Sequence, residues 1–573
     1  TVLEYLFDFV STATNIIKFE EIVGGNIGAV QCECISYTTP PDRGRSSMYC
    51  TDVAKMCAFP VIHISYTTPP ERGRSSMYCT DVAKMCAFPV IHVNGDVPES
   101  VAKAARLAVA YNRKFRRDVF VDLCCWRRWG HNELDDPRFT NPGMSVPDSY
   151  AKRLVEEKIW TEEEKNAVSK TANDYLNKRL AATDQYKPQS YHLMKHWGEM
   201  KEAPNSIETW DTGVDVMLLK YLGAKSVVVP DNFVLYPHLQ KTFVAARLAR
   251  LSSGEGLDWA TGEALAMASL LHQGYDVRIS GEDVGRGTFS QRHCMLVDQE
   301  SDEIYIPLNH MTENQTSFLE VANSTLSEEG VLGFEYGVSI ESPKILCIWE
   351  AQFGDFFNTA QPIFDTFLSA AEEKWLLQSG LTVILPHGYD GAGPEHSSCR
   401  MERFLQMSNS SETRPDSERV NWNIVFPTTA AQIFHALRRQ MIRNYRKPLI
   451  VIGPKSILRL PAAFSPLEDM KPGTYFLPVI GDSEVKPEEV RKIVFLSGKH
   501  YYFLKTEREK LGIKDTALVR LESLCPFPTR EINEVLKKYP KAKTFIWSQE
   551  EHRNMGAWSF VAPRFRNLCG TQF

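Results

Sequence analysis

Short apolar runs recur through the second half of the chain, at 276–280, 344–349, 381–385 and 423–426, with stretches of helical period between them. Runs this short, spaced by helix-length segments, predict parallel strands joined by crossover helices in a doubly wound sheet. A helix over 259–273 leads into the first run, and a further series opens at 447–452 and continues at 492–498, 517–521 and 544–547. Nearer the start, residues 98–115 carry Ala and Val at turn spacing, and the apolar run 118–125 reads as a buried parallel strand. Residues 148–205 are charged and helical in period and hold no obvious chemistry. The expected fold class is α/β, with three doubly wound α/β modules joined by a helical segment. The boundaries expected are 1–147, 148–240, 241–445 and 446–573.

Composition excludes several classes of function. Of 573 residues, 43% are hydrophobic and 24% charged, as in ordinary soluble globular proteins. A formal net charge of −6 gives no reason to expect nucleic acid. No apolar run approaches the roughly 20 residues that span a bilayer. The 13 cysteines include no CxxC pair, which favours free thiols in a reducing compartment. The chain begins at Thr1 with no Arg- and Ser-rich leader, and reads as truncated or processed.

Residues 35–63 are repeated at 64–92, a period of 29 (64 − 35), with only Asp42 changed to Glu71. Two copies do not make a solenoid, so near-identity points to a recent duplication or an assembly error. Only the second copy runs on into Val93-Asn-Gly-Asp-Val-Pro-Glu99.

Chemistry-bearing residues concentrate in a few strings. One is Ser280-Gly-Glu-Asp-Val-Gly-Arg-Gly-Thr-Phe-Ser-Gln-Arg-His293; a second is Leu326-Ser-Glu-Glu-Gly-Val-Leu-Gly-Phe-Glu-Tyr336. A third runs from Trp349-Glu-Ala-Gln-Phe-Gly-Asp355 to Pro386-His-Gly-Tyr-Asp-Gly-Ala-Gly-Pro-Glu-His396, and a fourth is Gly130-His-Asn-Glu133. Taken alone, Glu328 reads as an exposed acid in a helix's first turn, favoured by the helix dipole. Phe353 reads as a core residue at a strand end. His396 in its Gly-rich loop offers an imidazole that binds a carboxylate or moves protons near neutral pH.

Together these strings resemble the E1 component of 2-oxoacid dehydrogenase complexes, in the 2-oxoglutarate dehydrogenase family, over roughly residues 23–570. The resemblance implies a thiamin diphosphate-dependent, transketolase-like fold. It implies a homodimer with the cofactor between subunits, Mg²⁺, and decarboxylation of a 2-oxo diacid with acyl transfer to a lipoyl domain. The implied partners are a lipoyl-bearing E2 succinyltransferase and E3, in the mitochondrial matrix. Asp355-Phe-Phe-Asn358, Gly388-Tyr-Asp-Gly-Ala-Gly393 and Arg459-Leu-Pro-Ala-Ala463 look more like the 2-oxoadipate branch of the family, which implies lysine breakdown.

By the same resemblance, Glu328 contacts N1′ of the aminopyrimidine, Phe353 lies against that ring, and Gly354 lets the backbone come close. His396 faces the reacting centre, His387 matches a neighbouring position, and His131 reaches the cofactor from the first module. Arg292 and His293 bind an anionic substrate or partner, or else form a structural ion pair. The chain departs from the family where the diphosphate and Mg²⁺ are held. It has no Gly-Asp-Gly string in the first module, and Cys32 and Glu33 stand where the family has an Asn pair. Thiolate is a poor ligand for Mg²⁺, so no metal site is intact and Glu33 is the remaining oxygen candidate. The alternative to an enzyme is a catalytically impaired chain with a structural or dimerising role.

Overall fold

The structure, a computed structural model, describes residues 80, 83, 88–95, 97–124, 146–187 and 192–570. Glu33, His131, the repeat 35–63 and most of its copy lie outside the described residues. The chain divides into two compact units, and among the described residues the division falls between 187 and 192.

In the first unit, β1 (Val90–Asn94), α1 (Pro98–Phe115) and β2 (Phe120–Cys124) form a βαβ unit, with Val90 opposite Phe120 in a parallel pair. Pro98 opens α1, where its fixed φ suits a helix start and its missing N–H costs nothing. The strand expected to be buried is parallel, but Val121 and Leu123 remain 41% and 48% exposed. Only two strands of this sheet lie among the described residues, which leaves those faces uncovered within the unit. The charged segment that follows forms α2 (Val146–Glu156) and α3 (Glu162–Ala181). A capping box between Thr161 and Glu164 starts α3, which buries no residue, as its all-round polarity dictates.

The second unit begins its core with α4 (Trp259–His272), capped by the Asp258 side chain, which accepts the Thr261 N–H at 2.9 Å. This helix is buried on all sides from Trp259 to Leu271, the placement expected of a helix without a polar face. The parallel strands are β3 (Asp276–Gly281), β4 (Leu319–Asn323), β5 (Ile345–Glu350), β6 (Thr382–Pro386), β7 (Asn423–Val425) and β8 (Leu449–Gly453). Two helices follow strands of this sheet, α5 (Glu328–Glu341) and α6 (Ala430–Ile442). Further on come β9 (Val479–Ile480), β10 (Lys492–Leu496), β11 (Thr516–Leu521), β12 (Ser523–Cys525) and β13 (Thr544–Trp547).

The larger sheet has seven strands in the order β12-β7-β8-β6-β5-β3-β4, all parallel except β12. The smaller has four, β9-β11-β10-β13, with β9 antiparallel. One cluster containing Trp349, Phe357, Phe364, Phe404 and Trp422 covers one side of the larger sheet and runs on to Phe495 of the smaller. A second, built on α4 and α6, packs against its other side. Truncating any one of these buried aromatics to Ala costs on the order of 3–5 kcal/mol.

The α/β class expected from the sequence is the one observed. One assignment changes. Residues 447–452, read as the opening of the third module, form β8 in the middle of the seven-stranded sheet, between β7 and β6. Apolar periodicity identifies a buried strand but carries no information on which sheet receives it. Strands β4 and β12 were not expected from the sequence.

Candidate functional site

The parallel strands of the larger sheet share a direction, so the loops after them emerge along one edge. Open α/β sheets bind ligands at this carboxyl edge. Glu282 follows β3, Glu328 follows β4, Phe353 follows β5, and His387 and His396 follow β6.

Ser327 caps α5, its hydroxyl accepting the Gly330 N–H at 3.0 Å, and this sets Glu328 in the first helical turn. Glu328 is half-buried rather than exposed. Its Oε2 accepts a hydrogen bond from Thr359 Oγ1 at 2.7 Å. Thr359 lies on the short 3₁₀ turn Gly354–Ala360 that follows Phe353. That turn carries an aromatic cluster: the Phe353 ring lies 4.3 Å from the His396 ring, 5.7 Å from Phe289 and 5.8 Å from Phe356, all edge-on. Phe356 also meets His396, at 5.6 Å. Phe353 and His396 therefore touch, and Glu328 is joined to their cluster through Thr359.

Asp355 ties this turn to the His396 loop, its Oδ1 accepting the backbone N–H groups of Ser397 and Ser398 at 3.3 and 3.1 Å. Gly354 serves this same contact. A Cβ there would lie 2.5 Å from Pro386 O and 2.6 Å from Cys399 Cβ, so the glycine is required by the protein's own packing.

Glu282 stands next to Glu328 in charge terms. Burial, with the carboxylates of Glu328 and Asp283 adding to it, pushes its carboxyl up to about 7. Glu282 was not singled out from the sequence, although it sits within a quoted string, immediately after an expected strand. Thr359 and Asp355 were also missed, and their roles depend on contacts between separate loops.

Of three other candidates, Arg292 and His387 are buried in structural contacts and His293 is half-buried. Arg292, 3% exposed, donates Nη1 to Glu350 at 2.9 Å and Nη2 to Glu263 at 3.2 Å, and also reaches the Val284 carbonyl. Burial works against its charge, but the two carboxylates hold it well above its ordinary range. Of the two readings of Arg292, this geometry is the ion pair. His293 is pushed down to about 4 by burial, with Arg247, Arg286 and Arg459 adding to the effect, so near neutral pH it has no positive charge to offer an anion. His387, 2% exposed, accepts the Cys399 N–H at Nδ1 (3.2 Å) and meets Glu551 at Nε2 (2.8 Å). Both ring nitrogens are thus engaged by the protein itself.

His131 and Glu33 lie outside the described residues. Among the described residues no group of three or more His, Cys, Asp and Glu could hold a metal ion. A cavity of about 670 Å³, lined in part by Trp210, Arg439, Arg443 and Phe476, is separate from this edge and touches none of the candidate residues.

The sheet and its loop edge define the class: residues 255–461 match the transketolase pyrimidine-binding domain. Residues 51–191 match the dehydrogenase E1 component, and 464–572 the 2-oxoglutarate dehydrogenase C-terminal family. The chain is 59% identical over 553 residues to the "2-oxoadipate dehydrogenase complex component E1" of Xenopus laevis, covering 95% of this chain and 56% of that protein. It is 57% identical over 564 residues to the protein of the same name from Homo sapiens, covering 97% and 58%. It is 42% identical over 567 residues to "2-oxoglutarate dehydrogenase, mitochondrial" of Dictyostelium discoideum, covering 95% and 53%. The chain belongs to the 2-oxoglutarate dehydrogenase E1 family. It spans a little over half the length of these relatives.

Proposed function

We propose that this chain carries the pyrimidine side of a thiamin diphosphate site and serves the decarboxylation of a 2-oxo diacid, with 2-oxoadipate the preferred substrate. The observation that carries the reading is the half-buried Glu328 carboxylate at the start of α5, joined through Thr359 to the Phe353–His396 ring pair. An aminopyrimidine needs a carboxyl to meet a ring nitrogen and an aromatic wall to lie against, and these residues fit that need. Bound there, thiamin diphosphate would supply the carbanion chemistry that removal of a carboxylate requires.

The chain's own residues have narrower tasks. Glu328 presents its carboxylate to the pyrimidine nitrogen, with which it shares a proton. Phe353 and Phe356 exclude water from beside it. His396 meets the substrate carboxylate or moves a proton at its ring nitrogen. Residues 241–461 form the pyrimidine module in this reading, and the segment after them the C-terminal module. The complex partners are a lipoyl-bearing E2 and an E3, the assembly is a homodimer, and the site of action is the mitochondrial matrix. The relatives' names, two of them components of a dehydrogenase complex and one mitochondrial, support the complex and the location.

A second reading, an impaired chain, is favoured by Cys32 and Glu33 at the positions of the family's Asn pair. Calorimetric titration with thiamin diphosphate and Mg²⁺ separates the two readings. Saturable binding, with 2-oxoadipate decarboxylation to an artificial electron acceptor, supports the enzyme. No binding at millimolar cofactor supports the impaired chain.

A further inference from the structure

His396 lies near the end of a loop whose own hydrogen bonds close its base, Gly388 N–H to the Ser397 carbonyl at 2.9 Å and His396 N–H to the Gly393 carbonyl at 3.3 Å, and leave its tip outside. Residues 389–395 are exposed, and Gly391 and Gly393 adopt φ values of +79° and +99°, a region where only glycine is unstrained. Beyond these bonds and the Asp355 contacts at Ser397 and Ser398, two lysines that follow strands of different sheets anchor it. Lys455 follows β8 of the seven-stranded sheet, and its Nζ donates to the His396 carbonyl at 2.6 Å and lies 3.8 Å from Asp390 Oδ2. Lys499 follows β10 of the four-stranded sheet, where its Nζ meets Asp390 Oδ1 in a tight ion pair and Glu550 Oε1 at 3.3 Å. The two lysine side chains are only 6% and 5% exposed. The loop is shaped to receive Lys499: Gly388 has φ +146°, and a Cβ there would lie 3.1 Å from Lys499 Cε.

We propose that Lys455 and Lys499, converging on Asp390, are positioning residues that clamp the 387–396 loop and so fix the His396 ring against Phe353. The proposal rests on the reading of His396 given above. It assigns the C-terminal sheet a task at a site to which it supplies no reacting group. A lysine suits the task because an ammonium offers three donors, enough to serve a carboxylate and a carbonyl together. Two near-buried ammonium groups need nearby carboxylates, and Asp390 on the loop meets both of them, with Glu550 beside Lys499.

The test uses the full chain carrying Lys455→Met, Lys499→Met or Asp390→Asn, with Lys455→Arg as the conservative control. Methionine keeps the packing of the stem and removes the charge. Hydrogen exchange by mass spectrometry should show amides of 388–396 exchanging about tenfold faster, with β6 amides and the melting temperature near wild type. The rate of 2-oxoadipate decarboxylation should fall about 10- to 100-fold while the calorimetric affinity for thiamin diphosphate holds, since small misplacements of a reacting group have effects of that size. Lys455→Arg should restore part of both. Unchanged loop exchange in both methionine variants overturns the proposal. So does faster exchange spread evenly over both sheets, which marks general support, or a loosened loop with undiminished turnover. A wild-type chain that decarboxylates no 2-oxoacid refutes the functional reading instead, and the exchange measurement still judges the clamp.

Discussion

Two groups of charge in the second unit, one buried and one largely half-buried, are built in opposite ways. Around Arg292, one cation meets two carboxylates with paired hydrogen bonds. Around Glu282, a carboxyl faces the like charges of Glu328 and Asp283, and burial pushes its proton affinity up to about 7. In the first arrangement the two carboxylates hold the guanidinium charged against its burial. In the second, Asp283 pairs with Arg286 and Glu328 accepts from Thr359, and Glu282 beside them carries the raised proton affinity at the carboxyl edge of the sheet. Opposite charges packed together serve the fold, whereas like charges gathered at a sheet's carboxyl edge raise a proton affinity toward the range useful for acid–base chemistry.

The comparison can be broken in four places. The largest effect is expected at the ion pair: Arg292→Met leaves Glu263 and Glu350 buried without a partner and should lower unfolding stability by about 3–5 kcal/mol in urea titration. If the loss is below about 1 kcal/mol, the carboxylates are not held as described. Next, Glu328→Gln should leave stability near wild type and cut 2-oxoadipate decarboxylation by on the order of 10²-fold, about 3 kcal/mol in the barrier. Wild-type turnover in this variant would remove Glu328 from the chemistry.

The third concerns pH. Glu282 has a folded value of about 7 against an ordinary 4.5, so between those values the folded state holds a proton that the unfolded state lacks. Stability should therefore fall as pH rises from about 4.5 to 7, by on the order of 2–3 kcal/mol in all, and then level off. Glu282→Gln should flatten that slope, and equal urea midpoints for wild type and variant at pH 5 and pH 7.5 would refute the assignment. Smallest is Phe353→Leu, which removes the aromatic face and should weaken thiamin diphosphate binding by about 1 kcal/mol, roughly fivefold in calorimetric Kd.

Much of the α/β architecture was legible because short buried strands and their crossover helices leave distinct patterns. The runs at 276–280 and 381–385 and the helix over 98–115 match β3, β6 and α1 to within a residue or two. Sheet membership was not legible, since β8 and β10 read alike as apolar runs yet enter different sheets. Within the site, Phe353 and His396 were found through their strings, and the structure brings their rings to 4.3 Å. Asp355, Thr359, Lys455 and Lys499 were invisible because each acts across loops far apart in sequence. Arg292 and His387 carried the right chemistry for a site. The structure engages both in buried contacts with residues 263, 350, 399 and 551, and no local pattern announces that.

The antiparallel pairing of β12 with β7 has a practical consequence. After contributing β11 to the smaller sheet, the polypeptide returns to the larger one and closes its flank, so the two cannot be separated by a single cut without stripping hydrogen-bond partners from Asn423–Val425. A shortened protein ending near residue 461 would present a bare ladder there and is expected to self-associate through it. Engineering or expressing the pyrimidine-binding part by itself would therefore call for a replacement strand or a blocked flank.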